Sequence, residues 1–529
     1  MNFTQTNAYA QLKKHREFLS DSRISDLFDA DPDRAADYTL ALGDILFDYS
    51  KNLIDAKARG FLVKMAEQCG LREKIDAMFA GERINFTENR AVLHVALRNL
   101  DQDFVVDGRN VSLEIRDVFN AACDFAEGVR EGRFVGAKGD RILDVVNIGI
   151  GGSFLGPKMA IRALSPYKTP LMNFHFISNV DGADAAGVLK KLSPETTLFL
   201  VSSKTFTTDE TMTNAATCRK WVVESLGQSA VASHFAAIST NVGLTGDFGI
   251  PSGRVFPFGD FVGGRYSMWG PIGLAVVMAI GKERFLEFLG GAASVDSHFR
   301  EAGFVHNIPV MMALAGVWNN NFLGMDALAI LPYDHYLEFL PGYLQQLVME
   351  SNGKSVDSAG AYVEYQTSPV LFGEEGTNGQ HSFYQLVHQG TQKIACDFIL
   401  VAKSHDEIGG HHAKLLANGI AQGEALMRGR SLAESGGSPF KAFAGGRPSN
   451  TFLIRKITPA SLGALVALYE HKTFVEGVLW DIDSFDQFGV ELGKKLAARV
   501  VEDINGESIA PHDSSTAALI AAVKEIRNA

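Results

Sequence analysis

Cysteine is scarce and scattered in this chain: Cys69, Cys123, Cys218 and Cys396 are the only four in 529 residues. No two stand at the two-residue gap of a zinc knuckle or a redox pair. They are expected to be reduced, mostly buried thiols in a cytosolic protein. Long apolar runs are lacking too. The most apolar stretches, Pro271–Ile280 and Ile308–Trp318, fall far short of the roughly 20 residues a membrane span needs. Positive charge is in deficit, with 49 Lys and Arg against 61 Asp and Glu, a net charge of −12. An acidic surface disfavours broad contact with nucleic acid or an anionic membrane, because either needs a positive field. It still allows a small anion in a locally positive pocket. The first residues, MNFTQTNAYAQLKKHREF, have no apolar centre and are not read as a secretory leader.

The rest of the composition is that of a globular protein, 46% hydrophobic and 21% charged. The length suggests about three to four domain-sized units and a core that needs no disulfide or metal staple. The informative excess is glycine, 52 residues gathered in short clusters.

Along the chain, residues 1–115 read as a helical region, with apolar residues at mixed three and four spacings over Ala35–Gly60 and Gly60–Phe79. The texture changes near Arg141. Short β-rich runs at Ile142–Ile148, Phe174–Ser178, Thr197–Ser202 and Phe235–Ser239 alternate with stretches long enough for helices. Such alternation predicts a parallel sheet covered by helices on both faces, placed here at 115–290. A second set of runs, Ala327–Leu331, Ala395–Val401 and Thr451–Ile457, predicts another α/β domain at 300–510. A terminal helix is expected within 511–529. The fold class is therefore α/β, with two doubly wound parallel sheets.

Chemistry-bearing residues cluster at the predicted turns. NIGIGGSFLGP, Asn147–Pro157, follows a strand and opens a helix, where glycines admit an anion to backbone amides. Gly149 and Gly151 match a dinucleotide fingerprint, but Phe154 occupies its third glycine position. Gly353-Lys354-Ser355 has the ending of a nucleotide phosphate loop, but Val348 stands where the first glycine belongs. SKTFTTDET offers the hydroxyls of Ser203, Thr205, Thr208 and Thr211 beside Lys204, a donor set suited to a phosphate monoester. The plainer alternative is a helix N-cap at Thr207 or Thr208.

Gln346 and Glu350 are four apart on a predicted helix and share a face. Glu350 near that helix's C-terminus suits a proton acceptor; the alternative is a solvated surface glutamate. Arg265 follows Gly263-Gly264, a loop able to carry a guanidinium to a forming oxyanion. His381, at an expected helix start, is suited to proton movement near neutral pH or to a structural hydrogen bond. Gln487 and Lys494 lie seven apart on an expected helix over Gln487–Ile504. His405, Asp406, Glu407, His411 and His412 lack zinc spacing and read as a charged surface loop.

Taken in order, GIGGS (Gly149–Ser153), SKTFTT (Ser203–Thr208), VGGRYS (Val262–Ser267), MESNGK (Met349–Lys354), GTNGQH (Gly376–His381) and FDQFGVELGK (Phe485–Lys494) form a distinctive series. It resembles the phosphoglucose isomerase family, in its long, metal-independent form with two sugar-isomerase (SIS-type) domains. That resemblance implies a cytoplasmic homodimer with a C-terminal helical arm and no cofactor or metal. It implies interconversion of glucose 6-phosphate and fructose 6-phosphate through ring opening and a cis-enediolate, in glycolysis and gluconeogenesis. Gly152, Ser153, Ser203, Lys204, Thr205, Thr208 and Thr211 would form the phosphate site. Gly264, Gln346 and Gln487 would touch the sugar. Glu350 would move the proton between C2 and C1, and Arg265 would stabilise the enediolate. His381, reaching in from the partner subunit, and Lys494 would assist ring opening. Two positions depart from the family pattern. Phe154 stands where many members have Asp, and Asp209 where many have Gln.

Overall fold

The computed structural model describes residues 2–506 and 511–528. Residues 507–510, at the end of the expected second domain, and Ala529 of the expected terminal helix lie outside the described residues. The chain forms two compact units, Met1–Ser484 and Phe485–Ala529.

The first unit holds the strands. In chain order they are β1 (Thr39–Leu42), β2 (Ile45–Asp48), β3 (Val105–Val106), β4 (Arg109–Asn110), β5 (Asp144–Ile148), β6 (Asn173–Ile177), β7 (Thr197–Ser202), β8 (Phe235–Ile238), β9 (Ala327–Tyr333), β10 (Val370–Gly373), β11 (Ala395–Val401) and β12 (Ser449–Ile454). One sheet is fully parallel in the order β6-β5-β7-β8, and its strands coincide with the four β-rich runs of the sequence. All six residues of β7 and all four of β8 are buried, as strands covered on both faces must be. Val146, Ile148, Phe199, Val201 and Phe235 build the core beneath.

A six-stranded sheet has the order β1-β2-β12-β11-β9-β10. Here the structure differs from the sequence reading. Residues 39–48, expected to be helical, form the hairpin β1–β2, and β2 pairs antiparallel with β12. The physical reason is visible in Ile45 and Phe47, both buried and separated by exposed Leu46. That alternation has the two-residue period of a strand, but it is too short to stand out beside the helices around it. Strand β10, an edge strand with Val370 exposed, was also not anticipated. No helix among the described residues is long and apolar enough to cross a membrane.

In the second unit, His512, two residues ahead of helix Ser514–Asn528, shares a hydrogen bond through Nε2 with Asp503 Oδ2 of helix Glu491–Asn505 (2.6 Å). Gln487 lies outside the first of these helices, ahead of a 3-10 turn at Phe488–Val490. The expected pairing of Gln487 and Lys494 on one helical face is therefore corrected. The aromatic-glycine sequence Phe488-Gly489 takes the tighter turn, and the helix starts only at Glu491.

Candidate active site

Parallel strands deliver their following loops to one edge of a sheet, which is where open α/β folds gather ligands. β5 and β7 are neighbours, with Ile148 opposite Val201. The glycine loop after β5 and the hydroxyl loop after β7 therefore emerge side by side. A Cβ built on Gly149 would lie 2.9 Å from the Ser153 carbonyl and 3.2 Å from Ser202 Cβ, so the turn closes only on glycine. Gly151 takes the left-handed φ of +57°. A Cβ there would stand 3.0 Å from Gln346 Nε2.

Gly152 makes the tightest approach. Its virtual Cβ would sit 2.1 Å from the Gly264 carbonyl and 2.6 Å from the Arg265 amide. The loop after β5 and the arginine loop thus touch backbone to backbone. Gly152→Ala must displace the segment carrying Arg265. A shift of about 1 Å at a catalytic group can cost about a hundredfold. The variant is expected to lose that order of kcat/KM, measured by steady-state turnover; a loss under twofold would contradict the geometry.

After β7, Ser203 Oγ donates to Thr208 Oγ1 at 3.1 Å, and the Thr205 and Thr207 hydroxyls share a hydrogen bond of 2.7 Å. Thr208 occupies the N-cap position of helix Asp209–Leu226, but its side chain makes no capping bond. Simple capping therefore does not account for it. Thr211 Oγ1 is buried without a hydrogen-bond partner. Phe206 holds a left-handed φ of +58°, strain of about 1–3 kcal/mol in a non-glycine residue. Its ring is buried edge-on against Phe248, and that packing offsets the strain. Lys204 turns its ammonium to the Gly259 carbonyl (3.2 Å) and over the Phe258 ring; burial lowers its pKa.

Arg265 lies in the 3-10 turn Gly264–Tyr266 and is almost fully buried. Its Nε donates to Ser351 Oγ (2.6 Å) and its Nη2 to the Ser484 carbonyl (2.6 Å). Tyr266 OH shares Ser351 Oγ at 2.8 Å, and its ring stacks on His94. So anchored, the guanidinium places Nη1 3.9 Å from Glu350 Oε1. Glu350 closes a π-helical stretch, Gln346–Glu350, that continues the helix Leu340–Gln345. Such wide turns are rare in helices and recur at functional sites. The Glu350 side chain retains 24% exposure, open enough to meet a substrate. Gln346 Oε1 is buried and unpartnered.

The structure thus brings Gly152, Ser153, Gly264, Arg265, Gln346 and Glu350 together, with Ser203 and Thr208 on the adjoining loop. His381 ends a 3-10 turn, Asn378–His381, three residues ahead of helix Tyr384–Gln389 rather than at its start, and its side chain is exposed. Lys494 is exposed in the first turn of its helix in the second unit. His405 and His412 engage the carbonyls of Ile457 and Ala402. Sequence reasoning missed Ser351, Tyr266 and the Ser484 carbonyl as anchors of Arg265. Ser351 stood inside the MESNGK motif, but no spacing rule ties it to a residue 86 positions earlier.

A sequence profile described as Phosphoglucose isomerase matches residues 48–520. The chain belongs to this family. It is 50% identical to a glucose-6-phosphate isomerase of Methylococcus capsulatus, over 99% of both chains. A solved glucose-6-phosphate isomerase from Chlamydia trachomatis superposes with a TM-score of 0.89 at 31% identity, over 99% of this chain and 100% of that one. A hypothetical protein from Thermus thermophilus, at 23% identity and a TM-score of 0.64, shares the fold over 84% of this chain and 96% of its own. Membership of the phosphoglucose isomerase family makes the chain an isomerase.

Proposed function

We propose that this chain interconverts glucose 6-phosphate and fructose 6-phosphate through an open-chain cis-enediolate, within glycolysis and gluconeogenesis. The observation that carries the reading is the Glu350–Arg265 pair at 3.9 Å beside the Gly152 contact. An aldose–ketose isomerisation moves one proton between adjacent carbons and leaves the substrate's atom count and overall oxidation state unchanged. A carboxylate takes the C2 proton, and the electron pair flows towards the C1 carbonyl oxygen. A fixed cation then stabilises the negative charge on the enediolate. The carboxylic acid returns the proton to C1 while the C2 hydroxyl proton passes to the C1 oxygen, which leaves a C1 hydroxyl and a C2 carbonyl. Glu350 is the base in this scheme and Arg265 the cation. A guanidinium is suited to that role because it stays charged, and its burial strengthens the attraction to a forming oxyanion.

The phosphate is assigned to Ser153, Ser203, Lys204, Thr205, Thr208 and Thr211, with Gly152 giving close backbone approach. Gly264, Gln346 and Gln487 are assigned to the sugar. His381, contributed by the neighbouring subunit of a homodimer, and Lys494 assist ring opening. The reaction uses no cofactor, and the setting is the cytoplasm. The two sugar-isomerase domains are assigned to about residues 115–290 and 300–510.

The purified chain is expected to convert fructose 6-phosphate to glucose 6-phosphate in chelator-treated buffer without added metal. A coupled assay for glucose 6-phosphate checks this, and a flat trace with folded protein overturns the reading.

A further inference from the structure

Lys354 ends the MESNGK motif, and the mechanism above gives it no task. Its Nζ donates to three backbone carbonyls: Glu350 at 3.2 Å, Ser351 at 2.9 Å and Asp483 at 3.0 Å. Two of these acceptors belong to the end of the helix that carries Glu350, where the last carbonyls lack intrahelical partners and the dipole favours a cation. The third belongs to the residue next to Ser484, whose carbonyl holds Arg265 Nη2. A single ammonium therefore joins the turn bearing the base to the segment that orients the arginine.

Neighbouring bonds make the joint stiff. Asn352 Nδ2 donates to the Thr473 carbonyl (2.9 Å), and Ser484 Oγ donates to Asn352 Oδ1 (2.6 Å). Gly353 lets the chain turn there, because a Cβ would lie 2.5 Å from the Met349 carbonyl. Thr367 Oγ1 donates to the Lys354 carbonyl (2.9 Å) and fixes the lysine's own backbone. Beside the ammonium, the Ser484–Asn352 contact and the Ser351–Arg265–Ser484 bridge also join the 483–484 segment to the end of the base-carrying helix, and Thr87 N and Oγ1 each donate to Asp483 Oδ2 at 3.1 Å.

We propose that Lys354 is a positioning residue, whose ammonium bolts the Glu350 turn to the 483–484 segment and so sets the Glu350–Arg265 geometry. The inference rests on the reading of Glu350 and Arg265 as the reacting pair. It predicts a defect in the transition state rather than in ground-state binding.

The test is Lys354→Met in the full-length protein, which keeps the apolar stem and removes the donors. The expected result is a fall in kcat of about ten- to a hundredfold with KM for fructose 6-phosphate changed less than about twofold. A hydroxamate analogue of the enediolate is expected to bind more weakly by the same factor, because such analogues report transition-state affinity. A purely structural role would lower the active fraction and leave that inhibition constant unchanged; unchanged analogue affinity therefore overturns the proposal. Should the methionine variant fail to fold, Lys354→Arg carries the same measurement. Its planar fork cannot meet three divergent carbonyls, and about a threefold to tenfold loss of analogue affinity is expected. Glu350→Gln separates the two readings. If that variant keeps its kcat, the assignment of the base fails; if it is inactive while Lys354→Met matches the wild type in kcat and analogue affinity, the positioning role alone fails.

Discussion

Replacing Glu350 by glutamine is expected to lower kcat by about three orders of magnitude, the middle of the range for removal of a general base. The substitution is nearly isosteric. An amide oxygen can still face Arg265 Nη1, now 3.9 Å from the carboxylate, but it cannot accept and return a carbon-bound proton. Phosphosugar binding is expected to hold within a few fold, because the proposed phosphate contacts lie on the loops after β5 and β7. Steady-state turnover, with calorimetric titration of fructose 6-phosphate into the variant, checks both halves. A variant that retains most of its kcat would show that another group moves the proton.

The second large effect lies in the core of the first unit. Arg98 is fully buried and grips Asp296 in a bidentate pair, Nη2 to Oδ1 at 2.6 Å and Nε to Oδ2 at 2.8 Å. It also donates to Glu470, which receives a further bond from Trp269 Nε1 (2.8 Å). His471 Nε2 and Asn99 Nδ2 complete the shell of Asp296 at 2.7 and 2.6 Å. Arg98→Met would leave two carboxylates in a medium that cannot solvate them. Breaking a buried ion pair from one side costs about 3–5 kcal/mol, a large share of the roughly 5–15 kcal/mol that holds a typical fold. A fall of that order in urea-unfolding stability is expected. A loss under about 1 kcal/mol would mean the carboxylates find other partners or bind protons.

The same cluster has a pH signature. Burial pushes the Glu470 carboxyl up to about 7, despite Arg98 and Trp269. Burial acts on Asp296 as well, but Arg98 and His471 overcome it and hold that carboxyl at about 2. A raised carboxyl favours the native state below its unfolded value of 4.5 and loses that contribution as pH rises through about 7. A lowered one contributes above 3.8 and loses it as pH falls towards 2. The unfolding midpoint of the wild type is therefore expected to decline between about pH 5 and about 7.5 through Glu470, and Glu470→Gln is expected to flatten that slope.

Much of the fold was legible because its signals are local. β7, β8 and β11 are buried at every residue and β5 at all but its first, so apolar side chains dominate each run, interrupted only by a few polar residues such as Asn147 and Asp397, and the runs are easily seen. The hairpin β1–β2 and edge strand β10 were not legible. They owe their form to β12 and β9, partners roughly 400 and 40 residues away, and their own patterns are four residues long. The start of helix Glu491–Asn505 was misplaced for a related reason, since periodicity marks a helix but not the turn preceding it.

Sequence alone determined the composition class, the alternating α/β architecture and the motif order that led to the family. Each of these is carried by residue identity at short spacing, and short spacing survives without coordinates. Only the tertiary structure decided that Gly152 abuts Gly264, that Arg265 is held by Ser351 and Ser484, and that Lys354 spans both sides of the site. Those contacts join residues 86 to 219 positions apart, and nothing in local propensity or periodicity encodes which distant backbone a guanidinium or an ammonium will meet.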